Sequence, residues 1–114
     1  MEMVNMEMIT LDIDEQQCFH EKYVDEKVNG NVKLSIIFDV IVGGFNDVNF
    51  HLKNTRTGHS LYNSLRTSND RLMIAINEPG TYEYCFDNDG STVSQSIKWI
   101  RFNVVITFNH PTGF

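Results

Sequence analysis

Residues 80–88 read GTYEYCFDN. In this stretch Tyr82, Tyr84 and Phe86 fall on one side of an extended chain, and Thr81, Glu83, Cys85 and Asp87 fall on the other. Successive side chains of a strand point to opposite faces, so the pattern predicts a strand with one apolar face. Working outward, the same alternation recurs. RLMIAI aligns Leu72, Ile74 and Ile76 ahead of an NEPG turn, and IKWIRFNVVITF aligns Ile100, Phe102, Val104, Ile106 and Phe108. DVNFHLKN aligns Val48, Phe50 and Leu52, followed by a TRTG turn and HSLYNSL. VKLSIIFDVIV brings Leu34, Ile36, Phe38, Val40 and Val42 together, with Ile37 and Ile41 opposite. MITLDID aligns Ile9, Leu11 and Ile13, and CFHEKYV is a further short extended segment. β-Branched and aromatic residues fill the apolar positions, and no window sustains a helical period. About eight short strands with turn signals between them predict an all-β fold, a compact antiparallel sandwich of jelly-roll or Greek-key type.

The chain has 114 residues, enough for one domain and one modest core. Its net charge of −6 argues against nucleic-acid binding, which needs a basic surface to displace counterions. Lys and Arg are scattered, so no polybasic segment is available to hold an anionic membrane. No apolar run reaches the length of a membrane span. The N-terminal MEMVNMEMITLDIDEQQ has neither a basic region nor an apolar block and does not read as a signal peptide.

The sequence offers little chemistry. His20, His51, His59 and His110 lie on different elements or in loops, without the spacing that presents two imidazoles to one metal. DNDG, residues 87–90, lacks the later ligands of a calcium loop and reads as a turn whose Asp and Asn bond their own backbone. Gly43-Gly44 is followed by neither a third glycine nor a helix, so GGF reads as a bulge or sharp bend, not a dinucleotide site. No serine lies in a nucleophile elbow, and Asp12 and Asp14 read as a solvated strand face. The expectation is a protein that is not an enzyme and holds no cofactor and no metal.

Trp99 falls opposite the main apolar stripe of its strand, beside Arg101, Asn103 and Val105. It reads either as a second buried layer or a residue packed against a loop, or as a partner-facing aromatic, since Trp and Arg are enriched at interface hot spots. Trp99, Arg101 and Val105 are therefore candidate protein-interaction residues, and a sheet-edge position for their strand would add unpaired backbone groups. The two cysteines, Cys18 and Cys85, leave two readings. Glu83 and Asp87 beside Cys85 disfavour a reactive thiolate, and two ligands alone do not make a structural zinc site. Two free thiols or one bridge remain.

Three segments, in order, resemble the GOLD domain of the p24 (emp24/gp25L) family. They are QQCFHE at 16–21, FDVIVGGFNDVNFHL at 38–52, and GTYEYCFDNDGSTVSQSIKWIRFNVVI at 80–106. Cys-Phe-Asp-Asn with Ser-Thr-Val-Ser is similar to the gamma subclass. The resemblance implies a disulfide between Cys18 and Cys85, a β-sandwich GOLD domain over residues 7–109, and flanking tails at 1–6 and 110–114. It also implies a luminal adaptor of ER–Golgi vesicular transport, part of a single-pass membrane protein, pairing with other p24 proteins and cargo such as GPI-anchored proteins. COPI and COPII coats would be met only through a cytosolic tail, and the membrane only through a transmembrane segment, neither of which the sequence includes. No Asn-x-Ser/Thr sequon occurs, so N-glycosylation is not expected. The alternative from another class is a soluble sandwich that binds a small lipid or glycan.

Overall fold

Eight strands carry the alternating segments: β1 (Glu7–Leu11), β2 (Gln16–Tyr23), β3 (Asn31–Val42), β4 (Val48–Asn54), β5 (Ser60–Thr67), β6 (Asn69–Ala75), β7 (Gly80–Asp87) and β8 (Lys98–Asn109). They come from a computed structural model that describes residues 6–23, 31–43, 45–76, 78–89 and 96–109. Gly44, Gly90 of the DNDG stretch, and the Ser91-Thr92-Val93-Ser94 segment lie outside the described residues, as do the tail residues 1–5 and 110–114. Among the described residues no helix is long and apolar enough to cross a membrane.

Two four-stranded sheets form, ordered β1-β8-β3-β6 and β2-β7-β4-β5, with every neighbouring pair antiparallel. Only the β4–β5 connection joins neighbours within a sheet; every other connection crosses to the opposite sheet. The turns read from the sequence are thus mostly arches over the core, not hairpins. The fold is an all-β sandwich.

The predicted apolar stripes meet between the sheets. Leu34, Ile36, Phe38 and Val40 of β3, Ile100 and Phe102 of β8, Phe50 and Leu52 of β4, and Tyr82, Tyr84 and Phe86 of β7 are all buried. Phe86 sits at the centre, its ring 5.1 Å from Phe50, 5.1 Å from Phe102 and 5.3 Å from Phe38, centroid to centroid. Offset and edge-on aromatic contacts of this kind add to the area buried.

Two aligned residues depart from the stripes. Val42 is 55% exposed because the β3–β8 register shifts between Val40 and Val42, and one extra residue in a strand turns the next side chain to the other face. Ile13 is exposed because β1 stops at Leu11 and the chain turns at Asp12. Gly43 then bends the chain at φ 129°, and a Cβ there would stand 2.5 Å from the Ile97 carbonyl oxygen. Only glycine fits that approach.

Two buried polar side chains close one end of the sandwich. Asn88 is not the self-bonding turn residue the sequence predicts. Its Nδ2 donates to the carbonyls of Leu11 (3.3 Å), Asp12 (3.0 Å) and Ser96 (2.8 Å), and its backbone N–H donates to Glu15 O. One amide thereby ties the β1–β2 turn, the end of β7 and the approach to β8. Lys98 is 1% exposed, and its Nζ lies 2.8 Å from Asp47 Oδ1. A buried ammonium needs such a partner.

Candidate interaction face

The outer faces of the two sheets differ in chemistry. On the β2-β7-β4-β5 sheet, register places Gln16, Cys18 and His20 of β2 beside Asp87, Cys85 and Glu83 of β7, with Asn49, His51 and Lys53 of β4 next to them. Around the cystine the β2, β7 and β4 part of this surface is polar, laced by His20 Nε2 at 3.0 Å and Lys53 Nζ at 3.5 Å from Glu83, while edge strand β5 adds exposed Leu61 and Leu65.

The outer face of the β1-β8-β3-β6 sheet is instead strongly apolar. Trp99 (45% exposed) lies between Thr10 and Val42, and Val105 (45%) lies beside Ser35, which in turn faces Met73 (65%). Between these patches runs a polar row in which Arg101 Nη2 holds Asp39 Oδ2 at 2.6 Å, flanked by Met8 and Asn69. A groove of about 580 Å³ crosses the Val105 end, lined in part by Met6, Ile37, Arg71, Met73 and Val105. Exposed Trp99 with Val42, and exposed Val105 with Met73, are the kind of apolar surface patches that mark an interaction site.

The three candidate residues therefore share one face without forming one cluster. Trp99 and Val105 head separate apolar patches, and Arg101 is held in a cross-strand ion pair between them. The buried-layer alternative for Trp99 does not hold, since the side chain stays 45% exposed among the described residues. The condition under which β8 would offer unpaired backbone groups is not met, because β8 is not an edge strand. It is hydrogen-bonded on one side to β1 and on the other to β3, and the edges of this sheet are β1 and β6. Strand length and apolar content made β8 conspicuous, and these are the properties that suit a central strand. Met73 and Met8 escaped the sequence reading because exposed methionines become neighbours only through strand pairing. Their alternation with Leu72 and Ile9 was the available signal.

Cys18 and Cys85 are direct register partners on adjacent strands, and the structure joins them through their sulfurs. Cys85 is 1% exposed although it lies on the outer face, because its neighbours on β2 and β4 cover it. The bridge fastens edge strand β2 to central β7.

At the open side of the sandwich the edges guard themselves with charge. Glu21 of β2 faces inward beside Tyr82, and Glu7 of β1 faces inward beside Phe102. Burial, with repulsion from Glu7 second, pushes the Glu21 carboxyl above its ordinary range. Burial and the same two carboxylates also push the Tyr84 hydroxyl up. A carboxyl raised in the folded state binds protons more tightly there than in the unfolded chain, so it destabilises the fold above its raised pKa. That cost fades as pH falls towards the ordinary carboxylate value. Glu21→Gln is accordingly expected to raise the Tm at pH 7 and to leave it unchanged near pH 4. A Tm gain of the same size at both pH values would show that the effect is not ionisation.

Comparison with known proteins gives a consistent picture. A family model described as emp24/gp25L/p24 family/GOLD matches residues 8–112. A transmembrane emp24 domain-containing protein of Nematostella vectensis is 32% identical over 98 residues, covering 86% of this chain and 44% of that protein. Transmembrane emp24 domain-containing protein 3 of Mus musculus is 33% identical over 89 residues, covering 78% of this chain and 38% of that protein. The suppressor/enhancer of lin-12 protein 9 of Caenorhabditis elegans is 30% identical, covering 90% of this chain and 46% of that protein. The chain spans less than half the length of these relatives.

Proposed function

This chain belongs to the emp24/gp25L/p24 family, which is non-enzymatic, and on that premise we propose that it is the luminal GOLD domain of a p24-type cargo adaptor in ER–Golgi vesicular transport. Its partners are other p24 GOLD domains and cargo proteins, GPI-anchored proteins among them, and its docking surface is the outer face that carries Trp99, Arg101 and Val105. Contact with COPI and COPII coats belongs to a cytosolic tail, and anchorage to a transmembrane segment. The observation that carries the docking assignment is the set of exposed Trp99, Val42, Val105 and Met73 on one outer face, spread over three strands, where the other face has exposed Leu61 and Leu65 on its edge strand β5. The linked cysteines support an oxidising compartment, where a persistent bridge is stable.

Sedimentation over a wide concentration range tests the docking face. The isolated domain is expected to self-associate weakly, because a membrane anchor or coiled coil would normally raise the effective concentration. Trp99→Ala and Val105→Asp are expected to stay folded and to weaken that association by about tenfold, as loss of a hot-spot contact does. Folded variants that associate as strongly as the parent would move the interface elsewhere. A second reading rests on the groove beside Val105, whose volume of about 580 Å³ is within the usual range for small-ligand pockets. A bound lipid or glycan retained in native mass spectra and lost in Val105→Asp would favour it.

A further inference from the structure

Four potential metal ligands lie in a two-by-two arrangement on the outer face of the β2-β7-β4-β5 sheet. Cys18 and Cys85 are register partners; His20 and Glu83 are the next partners on the same face, two residues along each strand. One ligand atom each from Cys18, Cys85 and Glu83 lies within 4.8 Å of the others, and among the described residues this is the one such group that could hold a metal ion. His20 Nε2 stands 3.0 Å from Glu83 Oε2. While the disulfide is intact both sulfurs are consumed, and Glu83 is shared between His20 and Lys53.

From this geometry we infer a second state of the site: in the reduced protein, Cys18 Sγ, Cys85 Sγ, a Glu83 carboxylate oxygen and His20 Nε2 bind one zinc ion. Two thiolates, an imidazole and a carboxylate suit zinc, which takes S, N and O donors in a tetrahedron. Ligand atoms about 2.0–2.3 Å from zinc stand about 3.3–3.8 Å apart in that geometry. The Cys18, Cys85 and Glu83 atoms, already within 4.8 Å of one another, reach it by side-chain rotation, the sulfurs separating once their bond is gone, and His20 swings in from its contact with Glu83. Alternation along each strand and direct pairing across them put all four on one face, so the backbone need not move.

The exchange balances. A dithiol reductant gives two electrons to the Cys18–Cys85 bond, is itself oxidised to a disulfide, and leaves two thiols. Zinc then displaces the two thiol protons. Oxidation by a disulfide reverses the sequence: the two thiolates give up two electrons, the bridge re-forms and zinc is released. Before its bridge forms, a chain has both cysteines as thiols, so zinc would then hold edge strand β2 against β7 in the register that the bridge later fixes. This inference rests on the strand register and does not depend on the p24 reading.

The test is anaerobic titration of the phosphine-reduced protein with Co²⁺, followed by displacement with Zn²⁺. One cobalt per chain is expected, with the intense ligand-field bands of tetrahedral thiolate coordination, lost on adding equimolar zinc and never seen in the oxidised protein. His20→Ala and Glu83→Gln should each weaken zinc binding by about tenfold or more, since even outer-shell partners contribute that much. Absence of tetrahedral cobalt, or unchanged affinity in both variants, would overturn the site. Should the reduced chain unfold, zinc is expected to restore its strand circular dichroism in the parent and not in the His20→Ala/Glu83→Gln double variant. Binding without refolding would equally overturn it.

Discussion

Replacing Cys18 and Cys85 together by alanine is expected to cost about 4 kcal/mol of folding stability, the loop-closure entropy of a cross-link spanning 67 residues. A domain of this size has about 5–15 kcal/mol in total, so the loss takes a large share. The cystine lies on the outer face of its sheet, not among the packed rings, so little of the cost comes from the core. The effect falls mainly on the unfolded chain, which expands when the cross-link goes. Urea unfolding should therefore show a lower midpoint together with a steeper slope, because more surface is exposed on unfolding. Peptide mapping of the unreduced parent should recover the Cys18–Cys85 pair. Two alkylatable thiols in protein folded under oxidising conditions, or a loss below about 1 kcal/mol in the double variant, would contradict this account.

Phe86→Ala should cost a similar amount, about 3–5 kcal/mol, by a different mechanism. Phe86 is fully buried, and its ring meets Phe19, Phe38, Phe50, Tyr84 and Phe102. These rings come from both sheets, so removing the central one leaves a cavity that neither sheet can close alone. The midpoint should fall with the slope unchanged, because the unfolded chain is scarcely altered. Phe86→Leu refills part of the space and should lose less. A Phe86→Ala loss under about 1 kcal/mol would mean that the sheets collapse onto the cavity. Cys85 and Phe86 are adjacent in sequence yet stabilise the protein in these two separate ways, because a strand sends them to opposite faces.

That division was legible in the sequence because alternation depends only on the pleat. Each residue's side is set by its neighbour's, so the faces of β3, β4, β6, β7 and β8 could be read before any pairing was known. The motif resemblance supplied the expectation that Cys18 and Cys85 are linked. Strand order was not legible, because pairing joins segments far apart in sequence and local pattern carries no address. Hence β8 lies between β1 and β3, a placement that its own alternation does not carry. A single register shift reversed Val42, since one extra residue sends the next side chain to the opposite face. Lys98 and Asn88 look like surface residues by composition. Only the assembled fold brings Asp47 to the ammonium and the distant carbonyls of Leu11 and Asp12, with that of Ser96, to the amide, and those partners make burying them possible.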